Sequence, residues 1–138
     1  MGQNSVWRDM LAAALLISIW ALPVRAQDTL PSEDQCGRIP TAETPVLGWC
    51  IAIQKHKGNC LACHRIGIEN RPEGFIRGGN LGPELTSIRE RFPDKAKLRA
   101  QIWDPSMGNP QSVMPPYGRH RILSEAEIDL LVEFLLTI

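Results

Sequence analysis

The sequence has no excess of charge of either sign. Over 138 residues, 15 lysines and arginines balance 15 aspartates and glutamates, and the two signs are evenly mixed. Nucleic acids and anionic membranes are bound by clusters of lysine and arginine, which this mixture does not provide. We therefore expect neither as a partner, and we expect the surface to dock another protein. The length suits one domain.

The sequence also lacks an apolar run long enough to cross a membrane. Residues 10–22 are almost wholly apolar, but they number 13, whereas a transmembrane helix needs about 20 such residues. Arg8 precedes this run and Val24-Arg25-Ala26 follows it, which is the pattern of a signal peptide with small residues at the cleavage positions. A retained membrane anchor is the alternative. We predict cleavage after Ala26, export to the periplasm and a mature chain, residues 27–138, of near-neutral charge.

No stretch alternates apolar and polar residues regularly enough to predict a β-strand. Helical patterns are present instead. Thr44-Pro45 has the form of an N-cap followed by proline at the first helical position, and apolar residues then recur at helical spacing. A further helix is predicted from near Asp94 to Trp103, where Asp104-Pro105 ends it.

The last predicted helix begins with a capping box, Ser124-Glu125-Ala126-Glu127. The apolar residues that follow fall on one face of this helix, and they are Ile128, Leu131, Val132 and Leu135. We expect this face to pack against the helix that begins near Thr44. The sequence thus predicts an all-α domain over residues 44–138, preceded by an N-terminal extension over residues 27–43.

Two of the four cysteines belong to a C-x-x-C-H motif, Cys60-Leu61-Ala62-Cys63-His64. Thiols at this spacing can each add to one vinyl group of a porphyrin, and the histidine that follows is then held beneath the iron. A redox C-x-x-C needs a βαβ context, and a zinc site needs two more ligands at similar spacing. The sequence has neither. It predicts one haem c attached through Cys60 and Cys63, with His64 as an iron ligand.

Two methionines downstream are candidates for the sixth iron ligand. Met114 is followed by two prolines, which fix the backbone and make a stiff loop that can hold a thioether against iron. The chain around Met107 has no such rigidity, so we expect the Met107 side chain to be mobile or to serve in packing. His56 and His120 are further alternatives that would give a bis-imidazole haem, but each lies between basic residues, as surface histidines do. We favour Met114.

A haem-ligating imidazole also needs an acceptor for its second N–H group. The loop over residues 78–85 contains three glycines, which allow close backbone approach, and Pro83, whose carbonyl could be that acceptor. An ordinary surface turn is the alternative.

Cys36 and Cys50 remain. In an oxidising compartment a disulfide between them would close a loop of 15 residues, which stabilises the folded state by about 3 kcal/mol in the chain-entropy model. That disulfide would pin the N-terminal extension to the first predicted helix. We favour this intramolecular bridge; two free cysteines, or a bridge from Cys36 to a partner chain, are the alternatives.

Taken together, these residues resemble the class I cytochrome c family, which has an early C-x-x-C-H motif, a central Gly-Pro-x-Leu and a late methionine before the last helix. More narrowly, the chain resembles the SoxX family, the small monohaem subunits of the SoxXA cytochromes of thiosulfate oxidation. The resemblance covers residues 46–138. Its most specific parts are residues 58–64, 102–105 and 109–120.

The resemblance implies helices and loops wrapped around one covalent haem, with Met114 as distal ligand and the Pro83 carbonyl accepting from His64. It also implies a heterodimer with a larger SoxA-type cytochrome, an L-cysteine S-thiosulfotransferase that joins thiosulfate oxidatively to a cysteine of the SoxYZ carrier protein. On this hypothesis the present chain has no catalytic residue and passes electrons to a soluble cytochrome. The alternatives are a free-standing electron shuttle and a haem enzyme such as a peroxidase, which would need an open iron position.

Overall fold

The computed structural model describes residues 29–138, so the predicted signal peptide lies outside the described residues. Within them the chain forms five α-helices: α1 (Glu33–Cys36), α2 (Thr44–Ile53), α3 (Ile88–Arg91), α4 (Lys95–Trp103) and α5 (Glu125–Leu135). The chain also forms two short 3-10 helices, Cys60–Ala62 and Pro105–Met107. The β-pairing within residues 29–138 is one isolated parallel bridge between Ile66 and Leu85. The predicted all-α class is confirmed. In residues 29–138, every helix is too short or too polar to span a bilayer.

Helix α2 begins one residue away from the sequence prediction. Glu43 is its N-cap and Thr44 is its first helical residue, so the predicted Thr44 cap is wrong by one position. Pro45 still lies in the first turn, where its missing N–H group leaves no helical hydrogen bond unmade. Every residue from Gly48 to Ile53 is buried, because α2 is covered by the N-terminal extension as well as by α5.

The predicted packing of the first and last long helices is confirmed, and it depends on Gly48. A Cβ atom at this position would lie 2.1 Å from the carbonyl oxygen of Leu130 and 2.6 Å from the Cβ of Phe134. The backbones of α2 and α5 therefore touch at the crossing. Beside it, the rings of Trp49 and Phe134 meet edge to face with centroids 5.6 Å apart.

The N-terminus of α5 is closed by the predicted capping box. The Ser124 side chain accepts from the Glu127 N–H at 3.3 Å, and the Glu127 carboxylate accepts from the Ser124 N–H at 2.9 Å. The same carboxylate is paired with Lys57, which precedes the C-x-x-C-H motif. One acidic side chain thus caps α5 and connects it to the segment that carries the motif.

The N-terminal extension is fastened to α2. Cys36 and Cys50 form a disulfide, which is the intramolecular pairing favoured above. The indole N–H of Trp49 donates to the carbonyl of Pro31 at 2.7 Å. Trp49 thus contacts the extension as well as α5, and Cys36 lies in the same hydrophobic core, so the extension belongs to that core.

The helix crossing can be tested with two glycine substitutions. Gly48→Ala places a methyl group against backbone atoms that cannot move without shifting α5, so we expect a loss of about 1–3 kcal/mol in the free energy of unfolding. Gly37→Ala is the matched control, because nothing lies within 4 Å of its Cβ position and its φ is −72°. We expect that control to stay within about 0.5 kcal/mol of the parent. Urea unfolding measures both, and equal stabilities for the two variants would contradict the close crossing.

Candidate functional site

Residues from both halves of the chain line a cavity of about 520 Å³, a volume within the range of roughly 300–1,000 Å³ typical of cofactor pockets. Cys60, Cys63, His64 and Met114 all line it. Of the described lysine, arginine, aspartate and glutamate residues, only Arg91 contributes to the lining. The cavity thus places two thiols, an imidazole and a thioether around one weakly charged space.

The C-x-x-C-H motif forms a single tight turn. Asn59 has a left-handed backbone with φ of 47°, which turns the chain into the 3-10 segment that begins at Cys60. The N–H of His64 donates to the Cys60 carbonyl at 2.8 Å, so these two residues lie one turn apart. Burial raises the pKa of the Cys60 thiol to about 12. The turn brings both cysteines and the histidine to the same cavity.

The imidazole of His64 is held by the backbone of the glycine-rich loop. Its Nδ1 atom lies 2.7 Å from the Pro83 carbonyl oxygen. A carbonyl only accepts, so Nδ1 must carry the proton, and the Nε2 lone pair of the neutral ring is left free for a metal. A Cβ on Gly82 would lie 2.3 Å from Cε1 of this ring. The loop therefore fits against the imidazole only because residue 82 has no side chain.

The segment that carries Met114, residues 109–119 and called the Met114 segment below, is anchored on the end of α4. The N–H groups of Gly118 and Arg119 both donate to the Trp103 carbonyl, at 3.1 and 3.2 Å. These two N–H groups are hydrogen-bond partners for the Trp103 carbonyl, because the last carbonyls of a helix have no partner within the helix itself. A Cβ on Gly118 would lie 2.0 Å from the indole ring of Trp103. The backbone after Met114 is thus packed directly on α4.

Asp104, which follows α4, connects the end of that helix to the segment that follows Met114. Its buried carboxylate accepts from the Ser106 hydroxyl at 2.5 Å and from the Arg119 guanidinium at 2.9 Å. The hydrogen bond from Ser106 first, and then that from Arg119, hold the pKa of Asp104 below its usual value. The carboxylate therefore remains ionised and fixes the chain that follows Met114.

The other candidate iron ligands lie elsewhere. Met107 has 84% of its surface exposed, and the side chains of His56 and His120 are also exposed. None of these three residues lines the cavity. Among the four candidates, all within the described residues, the fold brings only Met114 to the cavity that contains His64.

A second cavity, of about 490 Å³, lies beside the haem-attachment turn, residues 58–64, and between α1 and residues 72–78. Neither of the two C-x-x-C-H cysteines nor His64 lines it. It therefore lacks the two thiols and the imidazole of the C-x-x-C-H motif.

Comparison with known proteins agrees with this geometry. The family model for cytochrome c matches residues 53–138. The chain belongs to the cytochrome c family. It therefore has a covalently attached haem c, and it transfers electrons through the haem iron. The weakly charged cavity, with two cysteines at its wall and a histidine whose Nε2 is free, fits that group.

A similar protein is an uncharacterized lipoprotein of Aquifex aeolicus (strain VF5). It is 34% identical to this cytochrome over 79 residues, which are 57% of the present chain and 36% of the relative. The matched region thus spans about a third of the relative's length.

Tyr117 is a further residue of the site, and the local sequence patterns did not single it out. Its side chain is buried, it lines the cavity, and its hydroxyl donates to the Gly58 carbonyl at 2.6 Å. Burial raises the pKa of Tyr117 to about 12, so the hydroxyl remains a donor at neutral pH. A signal was available, because this is the single tyrosine of the chain and it lies in an otherwise apolar Met-Pro-Pro-Tyr-Gly segment.

The contact between Gly82 and the imidazole predicts a steric phenotype. Gly82 does not have a positive φ, so alanine is strained there only by the ring of His64. We expect Gly82→Ala to displace the ring or the loop, to lower the free energy of unfolding of the cytochrome by about 1–3 kcal/mol, and to alter the haem absorption spectrum.

The control for this prediction is Gly108→Ala, because no atom lies closer than 4.0 Å to its Cβ position. Absorption spectra and urea unfolding compare the two variants. A Gly82→Ala protein with the parent spectrum and the parent stability would show that the loop does not fix the imidazole.

Proposed function

We propose that this cytochrome is the monohaem subunit of a SoxXA-type complex in the periplasm. Joining thiosulfate to a cysteine of the SoxYZ carrier protein forms a sulfur–sulfur bond and releases a pair of electrons. The reacting groups belong to the larger SoxA-type subunit. The present chain accepts the electrons singly and passes them to a soluble cytochrome.

In this proposal Cys60 and Cys63 would hold the haem, and His64 and Met114 would bind its iron. The bound iron supplies a reversible one-electron step. Pro83 keeps the proton on Nδ1 of His64, which leaves Nε2 for the metal and fixes the plane of the ring. A soft thioether in a weakly charged cavity favours the reduced iron, so we expect a fairly high reduction potential.

The observation that carries the assignment to a permanent complex is the apolar mouth of the haem cavity. Leu81 and Val113 line the cavity and have 69% and 77% of their surfaces exposed. A shuttle that docks transiently usually surrounds its haem edge with like charges, whereas a subunit in a stable complex presents apolar side chains there. Arg91 is the one lysine, arginine, aspartate or glutamate among the described residues that line the cavity, so no ring of like charges surrounds it, and this favours the subunit over the free-standing shuttle.

The segments that carry the SoxX resemblance also form one structural unit. Asp104 lies in one segment and Arg119 in the other, and their side chains pair at 2.9 Å. The Tyr117 N–H donates to the carbonyl of Ile102 at 3.2 Å. Because these two stretches depend on one another, their joint resemblance supports the proposal more than either stretch alone.

An extracytoplasmic location is consistent with two further observations. A disulfide such as Cys36–Cys50 persists in an oxidising compartment. The similar Aquifex protein is named a lipoprotein. We propose that the signal peptide is cleaved after Ala26 and that the mature cytochrome is periplasmic.

Two methionine substitutions test the ligand assignment. Met114→Ala should open the sixth position, so that carbon monoxide binds the reduced haem and changes its absorption spectrum. Met107→Ala is the control and should leave the reduced haem closed to carbon monoxide, because that side chain is on the surface. Carbon monoxide binding to the Met107 variant but not to the Met114 variant would reverse the assignment.

The partner is tested by purifying the tagged mature cytochrome from its native periplasm and identifying bound proteins by mass spectrometry. We expect a stoichiometric larger cytochrome that contains a reactive cysteine. Recovery of the monohaem protein alone, under gentle conditions and with intact haem, would contradict the complex and favour the free-standing shuttle.

A further inference from the structure

Tyr117 connects the two segments that face each other across the haem cavity. It lies three residues after Met114, and its hydroxyl donates to the carbonyl of Gly58, which lies two residues before Cys60. In the part of the chain that the structure describes, this is the one hydrogen bond between residues 109–119 and residues 54–64. The rest of the space between the two segments is the cavity itself.

Both ends of this connection are firmly held. Gly58 is buried, its N–H donates to the Ile51 carbonyl at 3.1 Å, and a Cβ there would lie 2.5 Å from the same oxygen. At the other end, the N–H of Tyr117 donates to the Ile102 carbonyl at 3.2 Å. The Tyr117 hydroxyl therefore joins two stretches of backbone that are each held in place. One stretch is the attachment turn, bonded to α2, and the other is the Met114 segment, bonded to α4.

We propose that Tyr117 is a positioning residue that fastens the Met114 segment to the haem-attachment turn and so keeps the thioether on the iron in the oxidised protein. This inference rests on the proposed ligation by Met114, but it does not depend on the Sox partner. Oxidised iron is the harder acid and holds a soft thioether less tightly than reduced iron does. The oxidised state is therefore where a mechanical restraint on the segment matters most.

Tyr117→Phe isolates the hydroxyl, because the ring continues to fill the wall of the cavity. In this variant the buried Gly58 carbonyl has no hydrogen-bond partner while the Met114 segment lies against the haem. It can bind water when that segment moves away from the haem, so the loss affects only the first of these two states. The open fraction then rises, and the apparent affinity for an external ligand rises with it. We expect the oxidised variant to bind imidazole about tenfold more tightly than the parent, which corresponds to about 1.4 kcal/mol.

The experiment is an imidazole titration of the oxidised holoproteins, followed in the long-wavelength absorption band of methionine-ligated ferric haem. Tyr117→Phe should also lose part of this band before imidazole is added. The control is Ile128→Val, which lowers global stability from a fully buried position on α5 outside the cavity lining. It should bind imidazole with the parent affinity.

Parent affinity in Tyr117→Phe, or an equal increase in Ile128→Val, would overturn the inference. Met114→Ala separates this failure from a failure of the proposed ligation. If Met114→Ala keeps the parent ferric spectrum, the ligation is wrong and the inference falls with it. If that spectrum changes but Tyr117→Phe binds imidazole like the parent, only the role of Tyr117 is wrong.

Discussion

The arrangement of the molecule depends on the contact between the backbones of α2 and α5 at Gly48. Helix α2 leads directly into the attachment turn, which is tied back to it by the hydrogen bond from Gly58 to Ile51. Helix α5 supplies Leu131 and Leu135 to the opposite wall of the cavity. The distance between the two helices therefore sets the space in which a porphyrin can lie. A larger residue at position 48 would widen that space, because the carbonyl of Leu130 stands in the way.

Local patterns in the sequence were sufficient for the three longer helices, α2, α4 and α5, and for the haem-attachment motif, but the four-residue helices α1 and α3 were not predicted. Helix α4 begins after an Asp94 cap and ends before Pro105, both of which are local signals. The Cys36–Cys50 pairing required only two spare cysteines and an oxidising compartment. Thr44 was misplaced by one residue because Pro45 is tolerated anywhere in a first helical turn.

Contacts between distant segments could not be predicted in this way. The role of Gly48 depends on which helix crosses α2, and that of Tyr117 on a carbonyl 59 residues away. The pairing of Asp104 with Arg119 likewise requires the chain between them to fold back on α4. These three positions are local exceptions, a glycine inside a helix, a lone tyrosine and a buried carboxylate, and their reasons are found only in the tertiary structure.

The proposed position of the haem between His64 and Met114 is tested most directly by proton NMR of the reduced holoprotein. A methionine that ligates ferrous haem lies over the ring, whose current shifts its methyl resonance far upfield. We predict one such methyl resonance, which is lost in Met114→Ala and retained in Met107→Ala. Absence of the resonance in the parent protein, or its persistence in Met114→Ala, would contradict ligation of the iron by Met114.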